Sequence, residues 1–336
     1  MTNLATPVSM PSPVAHAHRP GWMQRYRIQL STLTMLVVLY AAFIIGQPQT
    51  YLSFDIYRSF MVSIPFFGVM ALSATYVITL GEVDLSFPSI YGLSGLAFGE
   101  TYLATTSFPL AFLACLAVGV VTGLINGLLV TKVRIPSIVA TIGTMFLWRG
   151  LVNVLTQGKG VALATITNDP FNRLFVGQLF GQIPAQFIWF LGCAILLGVV
   201  YKRHRFGGHV LYVGDNAASA RMMGINVDRV KILCFVQLGF FSALSVVFLL
   251  NQMLYFWDTS GDGYLLTTLA AVFIGGTSVF GGRGTMIGTF IGVLIIASLE
   301  PGIIALGLTG FWTQFIYGLL ITISVTIYAL IQRRAG

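Results

Sequence analysis

Residues 202–231, KRHRFGGHVLYVGDNAASARMMGINVDRVK, form a polar and basic island in a chain that is otherwise nearly continuous membrane-spanning sequence. The centre of this island predicts a short helix. Asp215 and Asn216 can accept the free backbone N–H groups at its start, and Gly224 can adopt the left-handed conformation that ends it. Because the chain has almost no other polar segment, we expect this helix to contact a partner protein. The alternative is a helix that lies at the lipid headgroups.

The composition of the whole chain indicates a membrane protein. The 336 residues are 56% hydrophobic and only 8% charged, and their mean hydropathy is +0.87. Soluble domains do not have this composition. The net charge of +8 does not indicate nucleic-acid binding, because the basic residues lie at the ends of apolar runs, where they orient the chain in a bilayer.

Ten apolar segments are long enough, or nearly so, for a helix to cross the hydrocarbon. The predicted spans are 28–46, 57–80, 88–106, 108–131, 137–156, 186–201, 231–251, 264–280, 284–300 and 311–331. With a cytoplasmic N-terminus, 14 of the 18 Lys and Arg residues lie inside, three lie outside, and Arg149 lies within a span. This asymmetry predicts an all-α, multi-pass protein with both termini in the cytoplasm.

The spans define the expected domain organisation. Residues 1–27 are predicted to be a disordered cytoplasmic tail, and residues 28–331 a single transmembrane domain. Residues 157–186 form an outer loop that can include a short surface helix. Residues 202–230 form the cytoplasmic loop that carries the polar island.

Two spans share a spacing of small residues that predicts an internal repeat. Three glycines and a proline in or after the fourth span recur 165 residues later in and after the ninth: Gly119, Gly123, Gly127 and Pro136 against Gly284, Gly288, Gly292 and Pro301. Glycines four apart lie on one helix face and allow another backbone to approach closely. The prolines are expected to mark helix ends. Spans 2–5 would then correspond to spans 7–10 in inverted orientation, as in many transporters.

One short segment combines ionisable and helix-breaking residues near the membrane. Gly81-Glu-Val-Asp-Leu-Ser86 is followed by Pro88 and predicts a broken helix end at the inner side of the third span. Glu82, Asp84 and Ser86 could form a gate or a hydrogen-bond network beside a transport path. A solvated, capped turn is the alternative. Arg149 could reach outward to solvent or hydrogen-bond neighbouring backbone.

Patterns for catalysis, nucleotide binding and metal binding are absent from the sequence. It contains no G-x-x-x-x-G-K-[ST], H-E-x-x-H or G-x-S-x-G motif. Cys115, Cys193 and Cys234 lie in apolar stretches and are interpreted as small core residues. No catalytic residue, metal ligand or cofactor site is therefore predicted on this chain, and no nucleic-acid partner.

Four segments together resemble the permease subunits of bacterial ABC importers of the ribose, xylose and galactose class. Residues 81–86 resemble that family's G-G-[IV]-D-L-S segment, and Asn126-Gly127 with Pro136 its N-G…P pattern. Residues 214–225 resemble the cytoplasmic G-x-N-x-x-A-[AT]-R-x-x-G-I loop. Residues 270–284 resemble A-A-V-[VI]-[LI]-G-G-T-S…G-G-[KR]-G. Glu82 departs from the pattern, because the family has a glycine at that position.

The resemblance implies a transport subunit of the bacterial inner membrane that takes its energy from a separate ATPase, which would hold ATP and Mg²⁺. It also implies a periplasmic substrate-binding protein and a second permease copy or paralogue. The expected solute is a monosaccharide, polyol or related small hydrophilic molecule, and Asn126 joins the candidate path residues. Permeases for branched-chain amino acids or nucleosides are the nearest alternative. A stand-alone secondary transporter is disfavoured because mid-membrane carboxylates and histidines are scarce.

In such an importer the polar island would be the coupling element on which the ATPase docks. The small residues Ala217, Ala218 and Ala220 would allow close approach. Met222 and Met223 would give adaptable contacts, and Arg221 would pair with an acidic or carbonyl group. The residues assigned to this coupling helix are Gly214, Asp215, Asn216, Ala217, Ala218, Arg221, Met222 and Gly224.

Overall fold

The computed structural model of the chain describes residues 27–333, and this part is almost entirely helical. The helices are α1 (Arg27–Gly46), α2 (Pro48–Tyr51), α3 (Phe54–Ser63), α4 (Pro65–Thr79), α5 (Phe87–Thr105), α6 (Phe108–Leu128), α7 (Ser137–Thr156), α8 (Pro170–Val176), α9 (Ala185–Arg203), α10 (Arg205–Asp215), α11 (Ala217–Met222), α12 (Val227–Met253), α13 (Tyr264–Ile274), α14 (Met286–Ala305) and α15 (Phe311–Arg333). A π-helical turn, Leu129–Val133, extends α6. Apart from Arg27, the predicted tail lies outside the described residues.

Two short antiparallel ladders accompany the helices on the outer side. Strand β1 (Val161–Ala162) pairs with β4 (Tyr255–Phe256), and β2 (Gln178–Leu179) pairs with β3 (Ile183–Pro184). The predicted surface helix is confirmed as α8. Asp169 caps the N-terminus of this helix by accepting a hydrogen bond from the Phe171 amide.

Every predicted span contains a helix in the structure. Within residues 27–333, six helices are long and apolar enough to cross a membrane alone: α1, α6 with its π turn, α7, α9, α12 and α14. A seventh span is obtained if α3 and α4, which meet at a 54° bend, are taken together. The chain is therefore an all-α, multi-pass membrane protein, while a count of ten crossings remains a prediction.

Helix α12 is the centre of the bundle and packs against α4, α5 and α6. Gly119, Gly123 and Gly127 all face this helix, and a Cβ on any of them would overlap its backbone. Gly239 of α12 in turn packs against the Gly119 carbonyl, and a Cβ at Gly239 would overlap it. The row of glycines on α6 thus brings the backbones of α6 and α12 into contact. Close packing of this kind stabilises helix pairs in lipid, where no hydrophobic driving force acts between helices.

The matching glycines of the ninth span pack differently. Gly288 and Gly292 of α14 face the carbonyls of Gly275 and Ala271, at and near the end of α13. Under an inverted repeat, the partner equivalent to α12 would be α4 and not α13. The prediction that Gly284 lies on the same helix face is wrong, because it precedes α14 and packs against the Thr79 and Tyr201 side chains. The remaining glycines of both rows lie on packing faces, but the 165-residue offset does not relate equivalent contacts.

The prediction that both prolines end helices is wrong for one of them. Pro136 directly precedes α7, as expected, whereas Pro301 lies inside α14, which continues to Ala305. A proline inside a helix removes one backbone hydrogen bond, and helices in a membrane tolerate it when neighbouring groups compensate. The three cysteines are buried and unpaired, which confirms their assignment to the core.

Candidate translocation path and docking surface

The chain between α12 and α13 enters the bundle as irregular backbone from the outer side. Gly99 of α5 faces Val161 of the β1–β4 ladder, whereas Gly92 faces the Ser260 carbonyl and Pro88 faces Gly261. At 1.5 Å per helical residue, the seven to eleven residues from Gly99 place this loop about 10 to 16 Å below the ladder. This distance is about half the thickness of a hydrocarbon layer, which is about 30 Å. Residues 257–263 therefore form an outer re-entrant segment.

Arg149 anchors the outer re-entrant segment. Its Nη1 donates to the Asp258 carbonyl at 2.6 Å, and its Nη2 donates to the Ser260 carbonyl at 3.0 Å. The same guanidinium pairs with Asp262, at 2.7 Å between Nη2 and Oδ1. The sequence left open whether Arg149 reaches outward to solvent or hydrogen-bonds neighbouring backbone. The structure shows the backbone hydrogen bonds, and the side chain is only 17% exposed. A planar guanidinium suits this task, since it presents several donors in fixed directions.

A second irregular segment, residues 81–86, enters from the opposite side. The Asp84 Oδ1 atom accepts hydrogen bonds from the Ser86 amide and hydroxyl, both at 2.7 Å. The Asn126 side-chain amide donates to Ser86 Oγ at 2.7 Å and to Asp84 Oδ2 at 3.3 Å. All three side chains are buried. Residues 81–86 are called the inner re-entrant segment. The structure therefore joins three of the four predicted path residues in one hydrogen-bond network, which links this segment to Asn126 of α6.

The buried network is not fully satisfied. Asn126 Oδ1 has no hydrogen-bond partner among the described residues. Asp84 is 3% exposed, and its carboxylate is held by hydrogen bonds from Ser86 and Asn126. A solvated turn is thus excluded as the description of Asp84, while its function in gating remains a prediction.

Glu82 lies apart from this network. Its carboxylate forms an ion pair with Lys231 at the start of α12, and both side chains are mostly buried. The backbone beside it is fixed by α7, because the Val83 amide donates to Ser137 Oγ and the Val83 carbonyl accepts from Thr141. The inner re-entrant segment is therefore held by α6, α7 and α12 together.

The two re-entrant segments lead into helices whose N-termini meet in the middle of the bundle. Gly261 packs against the Pro88 carbonyl, and the rings of Tyr91 and Tyr264 are 5.4 Å apart in an edge-to-face arrangement. Irregular backbone at this depth is tolerated only where protein or a water-filled cavity surrounds it. Broken helices at corresponding positions of two inverted halves are typical of solute paths in transporters. Here they are α5 and α13, in the third and eighth predicted spans.

The sequence reasoning identified only the inner of these two segments. Residues 258–263, Asp-Thr-Ser-Gly-Asp-Gly, carry the same signal of carboxylates with glycines next to an apolar run. The prediction of a full span over 264–280 is wrong for this reason, because α13 begins at mid-depth and has only 11 residues.

The polar island folds into two helices. α10 was not predicted; its N-terminus is capped by His204, whose Nδ1 accepts from the Phe206 amide. α11 is the predicted short helix, and Asn216 caps it by accepting from the Ser219 amide at 2.9 Å. Gly224 has φ +81° and follows its end, as expected.

Two details of the predicted coupling helix are wrong. Asp215 is the last residue of α10 and caps nothing, because the chain turns at Asn216. Ala220 is fully buried within the chain and is not free to contact a partner. The exposed residues of this region include Ala218, Arg221, Met222 and Met223. The two methionines are 83% and 60% exposed, and exposed apolar side chains next to each other mark a contact surface.

Glycines connect α11 rigidly to both halves of the bundle. Gly214, two residues before its N-cap, packs against the Thr79 carbonyl at the end of α4 and against the Gly282 amide. The Gly282 amide itself donates to the Thr79 carbonyl at 2.9 Å. Gly281 packs against Gly81, where the inner re-entrant segment begins. These contacts are between backbones, so no flexible side chain lies between the end of α10, directly before α11, and the end of α4 or the α13–α14 turn.

The fold and these sites define a class: a multi-pass permease with a membrane-embedded path and a helical element at one face. Comparison with known proteins identifies the family. A profile described as "Branched-chain amino acid transport system / permease component" matches residues 56–325. The chain belongs to this family, and it is a transport subunit and not an enzyme.

The chain is similar to curated permeases of two kinds. It is 35% identical to the ribose import permease protein RbsC of Bacillus subtilis over 258 residues, which cover 77% of this chain and 80% of that protein. It is 31% identical to RbsC of Escherichia coli strain K12 over 262 residues, covering 77% and 81%. It is 33% identical to the autoinducer 2 import system permease protein LsrC of Photorhabdus luminescens over 251 residues, covering 74% of each chain. No solved structure matches.

These relatives confirm the resemblance to monosaccharide-type ABC importer permeases and disfavour the amino-acid alternative, despite the name of the family profile. A permease of this class works with an ATPase and a substrate-binding protein.

Proposed function

We propose that this chain forms the path for a monosaccharide or related polyol in a bacterial inner-membrane importer, with both termini in the cytoplasm. A separate ATPase subunit supplies the energy, a periplasmic binding protein delivers the solute, and a second permease copy or paralogue completes the path. The similarity to ribose and autoinducer 2 permeases supports the solute class. The junction of α5 and α13 supports a path at mid-depth.

The observation that carries the proposal is the backbone contact of Gly214, at the end of α10 directly before α11, with the bundle. An ATPase that closes on the exposed face of α11 would displace Gly214, which touches Thr79 and Gly282 directly. The displacement would reach the inner re-entrant segment and the α13–α14 turn at once. A helix with adaptable methionines at its surface suits such a contact.

Substitutions in and after α11 test the docking. Gly224→Val forces a branched side chain into the left-handed region at a cost of about 1 kcal/mol or more, although no neighbour lies within 4 Å of the added Cβ. We expect Gly224→Val and Arg221→Glu to leave the permease in the membrane, to weaken ATPase binding and to abolish substrate-stimulated ATP hydrolysis. Gly224→Asn is the matched control, since asparagine tolerates this conformation. Normal binding and normal stimulated hydrolysis in both variants would refute the docking assignment.

Uptake by the reconstituted importer tests the solute class. Proteoliposomes with the permease, its ATPase and its binding protein should accumulate labelled ribose or a related sugar in an ATP-dependent manner. Labelled leucine and uridine represent the amino-acid and nucleoside alternatives and should stay outside. Uptake of either one in preference to every sugar tested would overturn this part of the proposal.

A further inference from the structure

A cationic cavity lies beside the coupling helix on the same face of the bundle. Its volume is about 610 Å³, and it lies between the end of α11, the start of α12 and the π turn after α6. The residues that line it include Val130, Thr131, Arg134, Arg221, Asp228 and Lys231. The cavity therefore continues the exposed surface of Arg221, Met222 and Met223.

The charges around the cavity do not balance. Asp228 serves two cations, with Lys132 Nζ at 3.1 Å and Arg221 Nη2 at 3.5 Å. Lys231 pairs with Glu82, and Arg134 has no ion pair among the described residues. Among the residues that line the cavity, three are cations (Arg134, Arg221 and Lys231) and one is a carboxylate (Asp228), and the excess of two positive charges suits an anionic group.

One of these cations belongs to two sites at once. Lys231 lines the cavity, and its ammonium group also holds Glu82 of the inner re-entrant segment. The Lys231 and Glu82 side chains are 22% and 13% exposed, so the pair is largely shielded from water. An anion that enters the cavity would compete with Glu82 for Lys231.

We propose that this cavity receives an acidic side chain of the ATPase subunit, and that Lys231 transfers its interaction from Glu82 to that side chain when the ATPase docks. The inference rests on the proposed function. Its consequence is that docking loosens the inner re-entrant segment by a direct exchange of ion pairs. The ATPase is favoured as the source of the anion because the cavity adjoins the exposed methionines of α11.

Competition between Glu82 and the acidic side chain of the ATPase for Lys231 predicts a pattern of binding affinities that a purely structural ion pair does not. If Lys231 is shared, Glu82→Gln frees it and should tighten ATPase binding, whereas Lys231→Gln should weaken it. The expected change is roughly two- to fivefold in each direction, the range for a partly exposed ion pair. The double variant should bind like Lys231→Gln alone. A structural pair would instead make the two single variants change affinity in the same direction.

The test measures the affinity of the purified ATPase subunit for the full permease in phosphatidylcholine nanodiscs at low and high salt. Arg134→Gln should also weaken binding, and Lys202→Gln, a cation outside the cavity, is the matched control. Opposite shifts for Glu82→Gln and Lys231→Gln that shrink at high salt support the proposal. Shifts in the same direction, no shift, or shifts that appear only after phosphatidylglycerol is added would overturn it. In the last case an anionic lipid headgroup is the occupant.

This result is separable from that for the proposed function. If Gly224→Val weakens ATPase binding while the Glu82 and Lys231 variants fail to diverge, the coupling helix stands and the exchange of ion pairs is wrong.

Discussion

Asp84 is a carboxylate that the fold has almost completely removed from water, with 3% of its surface exposed. Burying such a group is costly unless hydrogen bonds compensate, and here Ser86 and Asn126 supply them. A movement of the inner re-entrant segment away from α6 would cost the carboxylate its hydrogen bond from Asn126, while the bonds from Ser86 belong to the segment itself.

Asp84→Asn is expected to lower solute uptake at least tenfold while the permease still assembles with its ATPase. The substituted amide would place a donor against a neighbouring donor, either the Ser86 amide and hydroxyl or the Asn126 amide, at a cost of about 1–3 kcal/mol. Uptake and ATPase copurification are measured in parallel, and Asp55→Asn on the outer helix α3 is the control. Wild-type uptake by Asp84→Asn would reduce residues 81–86 to a structural turn.

At the scale of elements, the contact between α6 and α12 depends on the absence of side chains. The Cβ of an alanine at Gly123 would lie 2.5 Å from the Phe235 carbonyl oxygen, well inside van der Waals contact. Two packed helices cannot separate at one residue only, so the whole interface would shift.

Gly123→Ala is therefore expected to destabilise the protein by about 1–3 kcal/mol, the usual cost of overpacking. The matched control is Gly143→Ala on α7, where no atom lies within 4 Å of the added Cβ. That change should be neutral or slightly stabilising, because alanine favours helix. The measurement is thermal aggregation in detergent, and equal behaviour of the two variants would contradict the packing argument.

For the whole molecule, the ten-span arrangement places α10 and the outer loop on opposite sides of the membrane. A cysteine introduced at Gly208 should react with an impermeant thiol reagent only from the cytoplasm, and one at Lys159 only from outside. Background labelling should be low, because Cys115, Cys193 and Cys234 are buried. Labelling of both positions from the same side would break the topology.

The sequence alone determined the class of protein, the presence of a helix within each predicted span, the caps of α11 and the Gly81–Pro88 break. These properties depend on local composition, on spacing along one helix and on hydrogen bonds between neighbouring residues. α10 escaped notice because its glycines and charges resemble a loop, and its helical form depends on packing Val210 and Val213 into the bundle.

Only the tertiary structure decided which segments meet. The pairing of Lys231 with Glu82, the reach of Arg149 to residues 258–262, and the contact of Gly214 with Thr79 and Gly282 each join positions far apart in the chain. Spacing along the sequence carries no information about such contacts. In a bilayer, where lipid is as apolar as the helix surfaces, close backbone packing and the burial of a few polar groups select the arrangement.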